Sequence, residues 1–260
     1  MFEIQEREIL DFVLIFLRVG GIFSLLPLFG DQPVPIRVRI LASVLLAWFA
    51  HSLVPPQMLL KEMPTDIVLM SSYVVRELMV GLGIGFVARI SFEGILLSAS
   101  IVGYQMGFGM ASLLVPDAGQ QMNGFTALHR AIIMLIFFSL NFHHIFIEAI
   151  FTSFAIIPTA EASYDIGLAS FMIKITSGIF SVGMQLAAPV LVALMFTMAA
   201  MGLIARTVPQ MNVFTMSFPV SFFIGLVVYI ATFPFYPQWM RAHFEAEGLN
   251  ILAVLNGMTP

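Results

Sequence analysis

Residues 103–125 read GYQMGFGMASLLVPDAGQQMNGF and separate two long apolar halves of the chain. Asp117 is the only charged residue in this stretch, whereas glycine, methionine and glutamine recur throughout it. Loops in water usually carry several charges, but these residues suit backbone that bends while other protein encloses it. At membrane depth, irregular backbone is tolerated only inside protein or along a cavity. The stretch therefore predicts a buried constriction loop in a hydrophobic helical frame; the alternative is an ordinary interhelical loop without charge.

The composition is that of an integral membrane protein. Of the 260 residues, 60% are hydrophobic and 10% are charged, and the mean hydropathy is +0.99, whereas soluble domains carry roughly 25% charged residues. The net charge is −4 and the 11 Lys and Arg residues are dispersed, so no basic stripe predicts a nucleic-acid partner. Because the chain has no cysteine, disulfides, thiolate metal sites and cysteine nucleophiles are ruled out.

Apolar segments of helical length follow one another along the chain. They cover residues 9–29, 40–54, 67–110, 131–157, 171–205 and 215–233. About 20 apolar residues cross a hydrocarbon core, and the third segment would reach on the order of 65 Å as one helix. It therefore projects beyond the bilayer or breaks near Gly81, Gly83 and Gly85. The fifth segment is over-long in the same way and is interrupted by Gly178 and Pro189.

This pattern predicts an all-α fold: a polytopic membrane-protein helical bundle with over-long, kinked hydrophobic helices and a central loop. No repeat with a period of roughly 20 to 50 residues and no separate soluble domain is found, so residues 1–260 are predicted to form a single helical unit. Its parts are N-terminal helices at 9–102, the central loop at 103–125, C-terminal helices at 126–237, and an amphipathic tail at 238–260 that is expected to lie at a membrane interface.

No set of side chains in the sequence predicts catalysis. His144 and Glu148 lie one helical turn apart, beside His143, and could share a metal ion. The other histidines are distant and no HExxH motif is present, so a packed or interfacial histidine pair is favoured. GxSxG and P-loop motifs are absent, and Asp117 has no carboxylate partner for shared-proton chemistry. We therefore predict no catalytic residue, no metal site and no cofactor.

Several charged residues interrupt the apolar segments: Asp11, Arg18, Arg76, Glu77, Arg89, Glu93 and Glu148. Each would be costly if it faced lipid. Arg89 and Glu93 stand four positions apart and are predicted to form a buried charge pair on one helix face. Arg18, Arg76 and Glu148 have no opposite charge at helical spacing. A transporter would use such charges as a proton or ion relay, whereas a bundle would pair them with neighbouring helices or other subunits, which is favoured.

Methionine and glycine are frequent around the central loop. Met106, Met110 and Met122 are unbranched and deformable, so they could form a compliant seal or fill irregular helix contacts. The GxxxG spacing of Gly81 and Gly85 permits close approach of another helix.

Four stretches, in matching order along almost the entire chain, resemble one known family. They are PLFGDQPVPIRVR at 27–39, SFEGILLSASIVGYQMGFGMA at 91–111, NFHHIFIEAI at 141–150, and ARTVPQMNVFTMSFPV at 205–220. Together they resemble the FliR family, flagellar export-gate proteins that are homologous to the SpaR, YscT and HrcT subunits of virulence type III secretion. The last stretch is the most specific, because its residues fall where the family pattern has them: Arg206, Pro209, Gln210, Met211, Asn212, Val213, Phe214 and Pro219.

The resemblance implies a non-enzymatic subunit of a hetero-oligomeric export gate in the bacterial inner membrane, at the flagellar basal body. Members of the family assemble with FliP and FliQ and are contacted by FlhB and FlhA. Their hydrophobic helices build a helical assembly around a pore for unfolded flagellar proteins, much of it raised out of the bilayer plane. This arrangement would account for the over-long segments, and sister subunits would satisfy buried charges.

The resemblance also implies roles for individual residues. The family's plug at the constriction corresponds here to Gln105, Met106, Gly107, Phe108, Gly109, Met110, Leu113, Pro116 and Asp117. Glycines at 103, 107 and 109 are expected to let the loop move, while the apolar side chains at 106, 108, 110 and 113 are expected to form the seal. Subunit packing is expected at Arg206, Pro209, Gln210 and Asn212.

Two other function classes compete with an export gate. Broken helices and intramembrane charges also suit a small-molecule or ion secondary transporter, which would show an internal inverted repeat and act alone in liposomes. A membrane enzyme would need a convergent catalytic set, which the sequence does not contain.

Overall fold

The computed structural model describes residues 2–26, 34–61, 63–108, 124–207 and 213–259. Within these ranges the chain is helical and has no strand, so the predicted all-α class is confirmed. The helices are α1 (Phe2–Leu25), α2 (Ile36–Leu53), α3 (Ile67–Gln105), α4 (Gly124–Ser139), α5 (His143–Ile156), α6 (Ile166–Thr207), α7 (Val213–Thr232) and α8 (Tyr236–Asn256), with short 3₁₀ helices at Pro56–Met58 and Phe233–Phe235.

Four helical stretches are long and apolar enough to cross a membrane. They are α2, α3, α6 and residues 216–256 of α7 and α8; α4 and α5 make a fifth if the pair counts as one span. The 39 residues of α3 and the 42 of α6 give helices of about 59 and 63 Å, twice the roughly 30 Å of a hydrocarbon core. The predicted polytopic membrane bundle with over-long helices is thus confirmed.

The glycines of α3 pack against a neighbouring helix without ending α3. The sequence allowed a break near residues 81–85, but α3 is continuous through them. A Cβ atom added to Gly81 would overlap the carbonyl oxygen of Arg18, and one added to Gly85 would lie 2.8 Å from the carbonyl oxygen of Ile22. These glycines therefore let the backbone of α1 approach that of α3 closely.

The segment at 131–157, expected as one apolar span, is divided into α4 and α5. Asn141 lies between them with φ +58, a left-handed conformation that asparagine adopts more readily than most residues. α5 then starts with a hydrogen bond from the His144 amide to the Asn141 carbonyl (3.0 Å). A single asparagine in an apolar run is a weak turn signal, which explains why sequence periodicity missed the break.

The chain forms two compact units. The first comprises residues 1–92, 141–176 and 243–260, and the second comprises 93–140 and 177–242, so α3, α6 and α8 each contribute to both. The first unit has a core of buried side chains from α1, α3, α5 and α8: Leu14, Ile15, Val19, Ile22, Val80, Ile84, Val87, Ile150, Phe154, Val254 and Leu255. The core of the second comes from α3, α4, α6, α7 and α8: Ile95, Ala99, Val102, Met106, Phe125, Ile133, Phe137, Val190, Leu194, Tyr229 and Tyr236.

Residues 238–256 of the expected tail belong to α8. In the first unit, Phe244 and Leu255 are fully buried. The chain end is tied to the connection between α5 and α6, because the amides of Ser163 and Asp165 donate to the carbonyls of Met258 (3.0 Å) and Gly257 (3.1 Å). The tail is therefore packed into the protein over much of its length, and its position at a membrane interface stays a prediction.

Candidate functional site

The central loop leaves α3 through a glycine turn in the second unit. α3 ends at Gln105, and the amides of Met106 and Gly107 donate to the carbonyls of Val102 (2.9 Å) and Tyr104 (3.0 Å). Gly107 has φ +97, which glycine adopts without strain and other residues do not. A glycine with positive φ just after the last helical turn is a common helix ending. The direction in which the loop departs is therefore fixed by Gly107.

Two residues at this turn pack against α7. Met106 is fully buried, and its Cε atom lies so close to Gly225 that an added Cβ would be 2.7 Å away. The ring of Phe218 covers Gly107, where an added Cβ would lie 2.5 Å from the Phe218 Cδ2 atom. Glycine at 107 is thus required by both the backbone conformation and the contact.

Phe108 extends the contact into an aromatic cluster. Its ring stacks on Phe125 of α4, with centroids 6.2 Å apart, and meets Phe222 of α7 edge-on at 5.6 Å. Phe125 in turn contacts Tyr229 at 5.0 Å. Aromatic pairs at such distances contribute about 0.5–1.5 kcal/mol each beyond the area they bury. The residues just before the loop and the helix just after it are therefore held to the same face of α7.

A buried polar contact lies within this cluster. The Nδ1 atom of His129 and the hydroxyl of Tyr229 are 2.9 Å apart, and His129 is 1% exposed. The Tyr236 ring packs edge-on against His129 at 5.7 Å. Because the histidine–tyrosine hydrogen bond fixes the rotation of both rings, it orients α4 against α7.

Gln105 links the loop start to α6. Its Nε2 atom lies 3.3 Å from the sulfur of Met198, while the preceding Tyr104 is 73% exposed. In the last turn of α3, Gln105 therefore packs against α6 within the second unit, whereas Tyr104 is exposed.

The first unit contains a fully buried ion pair that the sequence did not reveal as a pair. The Arg18 Nε donates to Glu77 Oε2 at 2.6 Å and its Nη2 donates to Oε1 at 2.9 Å, with both side chains 0% exposed. This two-bond geometry is the strongest arrangement of a guanidinium and a carboxylate. Arg18, which has no acid at helical spacing, is thus neutralised by a residue 59 positions away.

Other groups in the first unit also bond to this pair. Arg18 Nη1 donates to the Ile157 carbonyl at 2.9 Å, and the guanidinium lies 4.2 Å above the centre of the Phe154 ring. Glu77 Oε1 also accepts the amide of Ala160 at 2.8 Å. Arg76 Nη1 donates to the carbonyl of the same Ala160 at 2.9 Å. Charges on α1 and α3 therefore hold the end of α5 and the turn after it.

This pairing favours the structural interpretation of the intramembrane charges. A relay needs groups that gain and lose protons or ions, whereas Arg18 and Glu77 are bound to each other and to backbone groups by several hydrogen bonds. Outside the apolar spans, burial raises the pKa of Tyr164, with the nearby Arg76 opposing this effect. Glu148 is not part of a buried pair of this kind, because its side chain is exposed on α5.

The residues of the expected plug are only partly described. Gln105, Met106, Gly107 and Phe108 lie at the loop start as given above, while Gly109, Met110, Leu113, Pro116 and Asp117 lie outside the described residues. Met106 is enclosed by its own unit, which favours an anchor at this position. The sealing role expected from the sequence stays a prediction.

The other expected residues are distributed as follows. Arg206 is exposed in the last turn of α6, where a positive charge is favourable at a helix C-terminus; Pro209, Gln210 and Asn212 lie outside the described residues. Arg89 and Glu93 are both partly buried on α3, and their pairing stays a prediction. Among the described residues, no group of three or more His, Cys, Asp or Glu is placed to hold a metal ion.

The sequence did not identify the partners of the loop start on α7 or the partner of Arg18 in the buried ion pair. Phe218, Gly225 and Tyr229 lie on α7 at nearly helical spacing, and so predict only an apolar face. Glu77 was recognised as a costly charge, but nothing local relates it to Arg18. A search for opposite charges in different apolar segments could have suggested that pair without fixing it.

Known proteins similar to this chain place it in one family. Residues 9–246 match the family described as bacterial export proteins, family 1. The chain is 30% identical to the flagellar biosynthetic protein FliR of Bacillus subtilis (strain 168), with 84% of each chain covered. It is 25% identical to FliR of Escherichia coli (strain K12), covering 91% of this chain and 89% of the relative. FliR of Aquifex aeolicus (strain VF5) is 21% identical over 93% and 92% of the two chains. The chain therefore belongs to the FliR family of bacterial export proteins, as a non-enzymatic membrane component of the flagellar export apparatus.

Proposed function

We propose that this protein is a structural and gating subunit of the flagellar type III export gate. In this role it forms, together with FliP and FliQ, the inner-membrane entry pore for unfolded flagellar proteins at the basal body, where FlhB and FlhA contact it. The observation that carries the proposal is the anchoring of the central loop: Met106, Gly107 and Phe108 are fixed on α4 and α7 of the second unit. A loop that obstructs a pore must be held by a rigid frame at its base.

In the proposed mechanism, the anchor stays in place and the loop beyond Phe108 moves. Gly107 fixes the departure of the loop, and the sparingly charged residues up to Asp117 close the path when no substrate passes. Substrate then displaces the apolar side chains at 110 and 113, while Phe108 stays in the aromatic cluster and keeps the base of the loop in position. Energy comes from partner proteins, since the chain has no P-loop motif.

The outer faces of the helices support a role inside an assembly. Large apolar side chains of α2 and α6 are exposed, among them Trp48 (67%), Phe180 (71%), Met195 (65%) and Phe196 (73%). Such faces need lipid or other subunits to cover them. The helices that carry them are candidate spans, and α6 is about 63 Å long, so lipid alone covers only part of its face.

The decisive experiment is purification of the tagged protein from its native cell in mild detergent, followed by mass spectrometry of the bound proteins. We expect FliP-like and FliQ-like proteins to be recovered in a stable complex. Recovery of a homogeneous, partner-free chain from cells that are making flagella would overturn the proposal, and transport assays in liposomes would then test the transporter alternative.

A further inference from the structure

An open groove lies between α5 and α8 in the first unit. Ile145, Glu148, Ala149 and Thr152 form its α5 wall, and they share one helix face because they are spaced by three or four positions. Its α8 wall includes Glu245, Gly248, Leu249 and Leu252. The groove has a volume of about 330 Å³, which is more than the packing defects found inside protein cores.

Two small residues, Ala149 and Gly248, line the groove together with the buried Phe244, Ile251 and Leu255. There is open space at Gly248, because an added Cβ would still be 3.9 Å from the nearest atom, Cγ2 of Ile145. Small residues at the centre of a helix pair let the backbone of another helix approach closely. Leu249, which is 68% exposed, and Leu252, which is 38% exposed, leave an apolar edge uncovered.

Two carboxylates line this apolar groove without a partner. Glu148 and Glu245 are both exposed, and within the described part of the chain neither has a hydrogen bond or an ion pair. Both belong to helical stretches apolar enough to cross a membrane, where an unpaired carboxylate is costly. The contrast is Glu77, whose carboxylate is saturated by Arg18 and Ala160. The groove therefore presents two carboxylates without a hydrogen bond or an ion pair beside an apolar surface.

We propose that this groove binds an apolar helix of another membrane protein, and that this helix carries a lysine or arginine opposite Glu148 and Glu245. The space at Ala149 and Gly248 accommodates a helix backbone, the leucines contact apolar side chains, and the basic residue neutralises the carboxylates. A lipid tail would fill the apolar part and leave both charges unpaired, and an anionic headgroup would be repelled. The inference rests on the proposed function only in requiring a hetero-oligomer, and it does not depend on the central loop.

Photo-crosslinking in native membranes tests which molecule occupies the groove. Benzoylphenylalanine replaces Leu249, which lines the groove, and in a control strain it replaces Ala246, which is exposed on α8 but does not line it. We expect position 249 to crosslink to one membrane protein and position 246 to give at most a tenth of that yield. A crosslink from 249 only to lipid, or only to a second copy of this chain, would overturn the proposal.

Neutralising the carboxylates tests the charge requirement. Glu148→Gln combined with Glu245→Gln is expected to lower the crosslink yield from position 249 at least about tenfold, because truncating one side of a desolvated charge pair raises dissociation strongly. Glu8→Gln, which removes an exposed acid from α1, is the matched control and should leave the yield unchanged. An unchanged yield in the double variant would show that no basic residue is bound there.

The two proposals fail in different ways. If the export-gate proteins copurify with the chain but position 249 captures no protein, the groove assignment is wrong and the proposed function stands. If no partner copurifies from cells that are making flagella, the proposed function is wrong as well.

Discussion

Individual side chains in this protein are stabilised by partners that lie far away in the sequence. Arg18 and Glu77 are fully buried and share two hydrogen bonds. Removing charges from water is expensive, so such a pair contributes less net stability than its geometry suggests. Removing only one of the two side chains destabilises the protein much more, because the other then remains charged and unpaired.

Glu77→Gln is therefore expected to destabilise the protein by about 3–5 kcal/mol, because Arg18 stays charged in an apolar core. Arg18→Met combined with Glu77→Leu should recover most of this loss, since neither charge remains. The measurement is denaturant unfolding of the purified protein in detergent, with Glu8→Gln as the exposed control. A Glu77→Gln variant as stable as the double variant would show that the pair is not held as described.

Gly107 is the second position where one residue decides the outcome. Gly107→Ala would place a side chain at φ +97 and against the Phe218 ring, at a cost of about 1–3 kcal/mol for the backbone alone. We expect weaker anchoring of the loop, measured as faster proteolysis near residue 107 and reduced secretion of flagellar substrates. Adding Phe218→Leu should relieve the contact but not the backbone strain, and so give partial recovery.

Gly178→Ala provides the matched control for this experiment, because Gly178 lies on α6 in the same unit and has no atom within 4 Å of an added Cβ. Equal proteolysis of the Gly107 and Gly178 variants would contradict the anchor at Gly107.

How far the sequence predicts this protein depends on the range of the interaction. Apolar runs and prolines locate most helices, because these features act locally, and Pro234, for instance, follows the end of α7 at Thr232. Helix starts are placed less well: α1 and α4 begin at Phe2 and Gly124, before the predicted residues 9 and 131. The break at Asn141 was not predicted, since a single asparagine is a weak local signal. The pairing of Arg18 with Glu77 was not predicted, since it depends on a contact between residues distant in the sequence. At the candidate site, the sequence singled out Gly107 and Phe108 but not Phe218 or Phe222, whose apolar helix α7 presents no local reason to choose one face.

At the scale of helices, the crossing of α1 and α3 organises the first unit. Gly21 and Gly81 face each other, so that a Cβ on Gly21 would lie 3.1 Å from the Gly81 backbone. The buried Arg18–Glu77 pair lies about one turn away on the same two helices. Close backbone packing and the ion pair therefore depend on each other, because separation of the helices would break both.

Gly81→Ala is expected to disturb this crossing, since its new methyl group would overlap the Arg18 carbonyl oxygen, which belongs to the backbone and cannot rotate away. Overpacking of this kind typically costs about 1–3 kcal/mol. The loss should appear in unfolding experiments and as faster exchange of amide hydrogens in α1. Gly20→Ala, on α1 next to Gly21 and with nothing within 4 Å of an added Cβ, should show neither effect.

At the scale of the whole molecule, α6 is too long for its exposed apolar face to lie entirely in lipid. Ile173, Phe180, Val192 and Leu203 are all more than half exposed along this helix, and the first and last of them are about 45 Å apart along the axis. To keep both ends within a hydrocarbon core of about 30 Å, a straight α6 would have to tilt by about 48°, which exceeds the observed range of roughly 0–40°. In a straight α6, part of the face is therefore covered by other proteins or exposed to water.

Spin labels can measure which parts of the α6 face contact lipid, protein or water. The chain has no native cysteine, so a single cysteine can be introduced at each of the four positions and labelled. In the assembled complex we expect lipid-type oxygen accessibility over no more than about 20 consecutive residues, with at least one end position either shielded from both oxygen and polar relaxation agents or accessible to water. Shielding that disappears when partners are stripped away would identify a subunit contact. Lipid-type accessibility at both Ile173 and Leu203 in the complex would instead require a strongly bent or tilted α6, and it would remove the reason for raising part of this protein out of the bilayer.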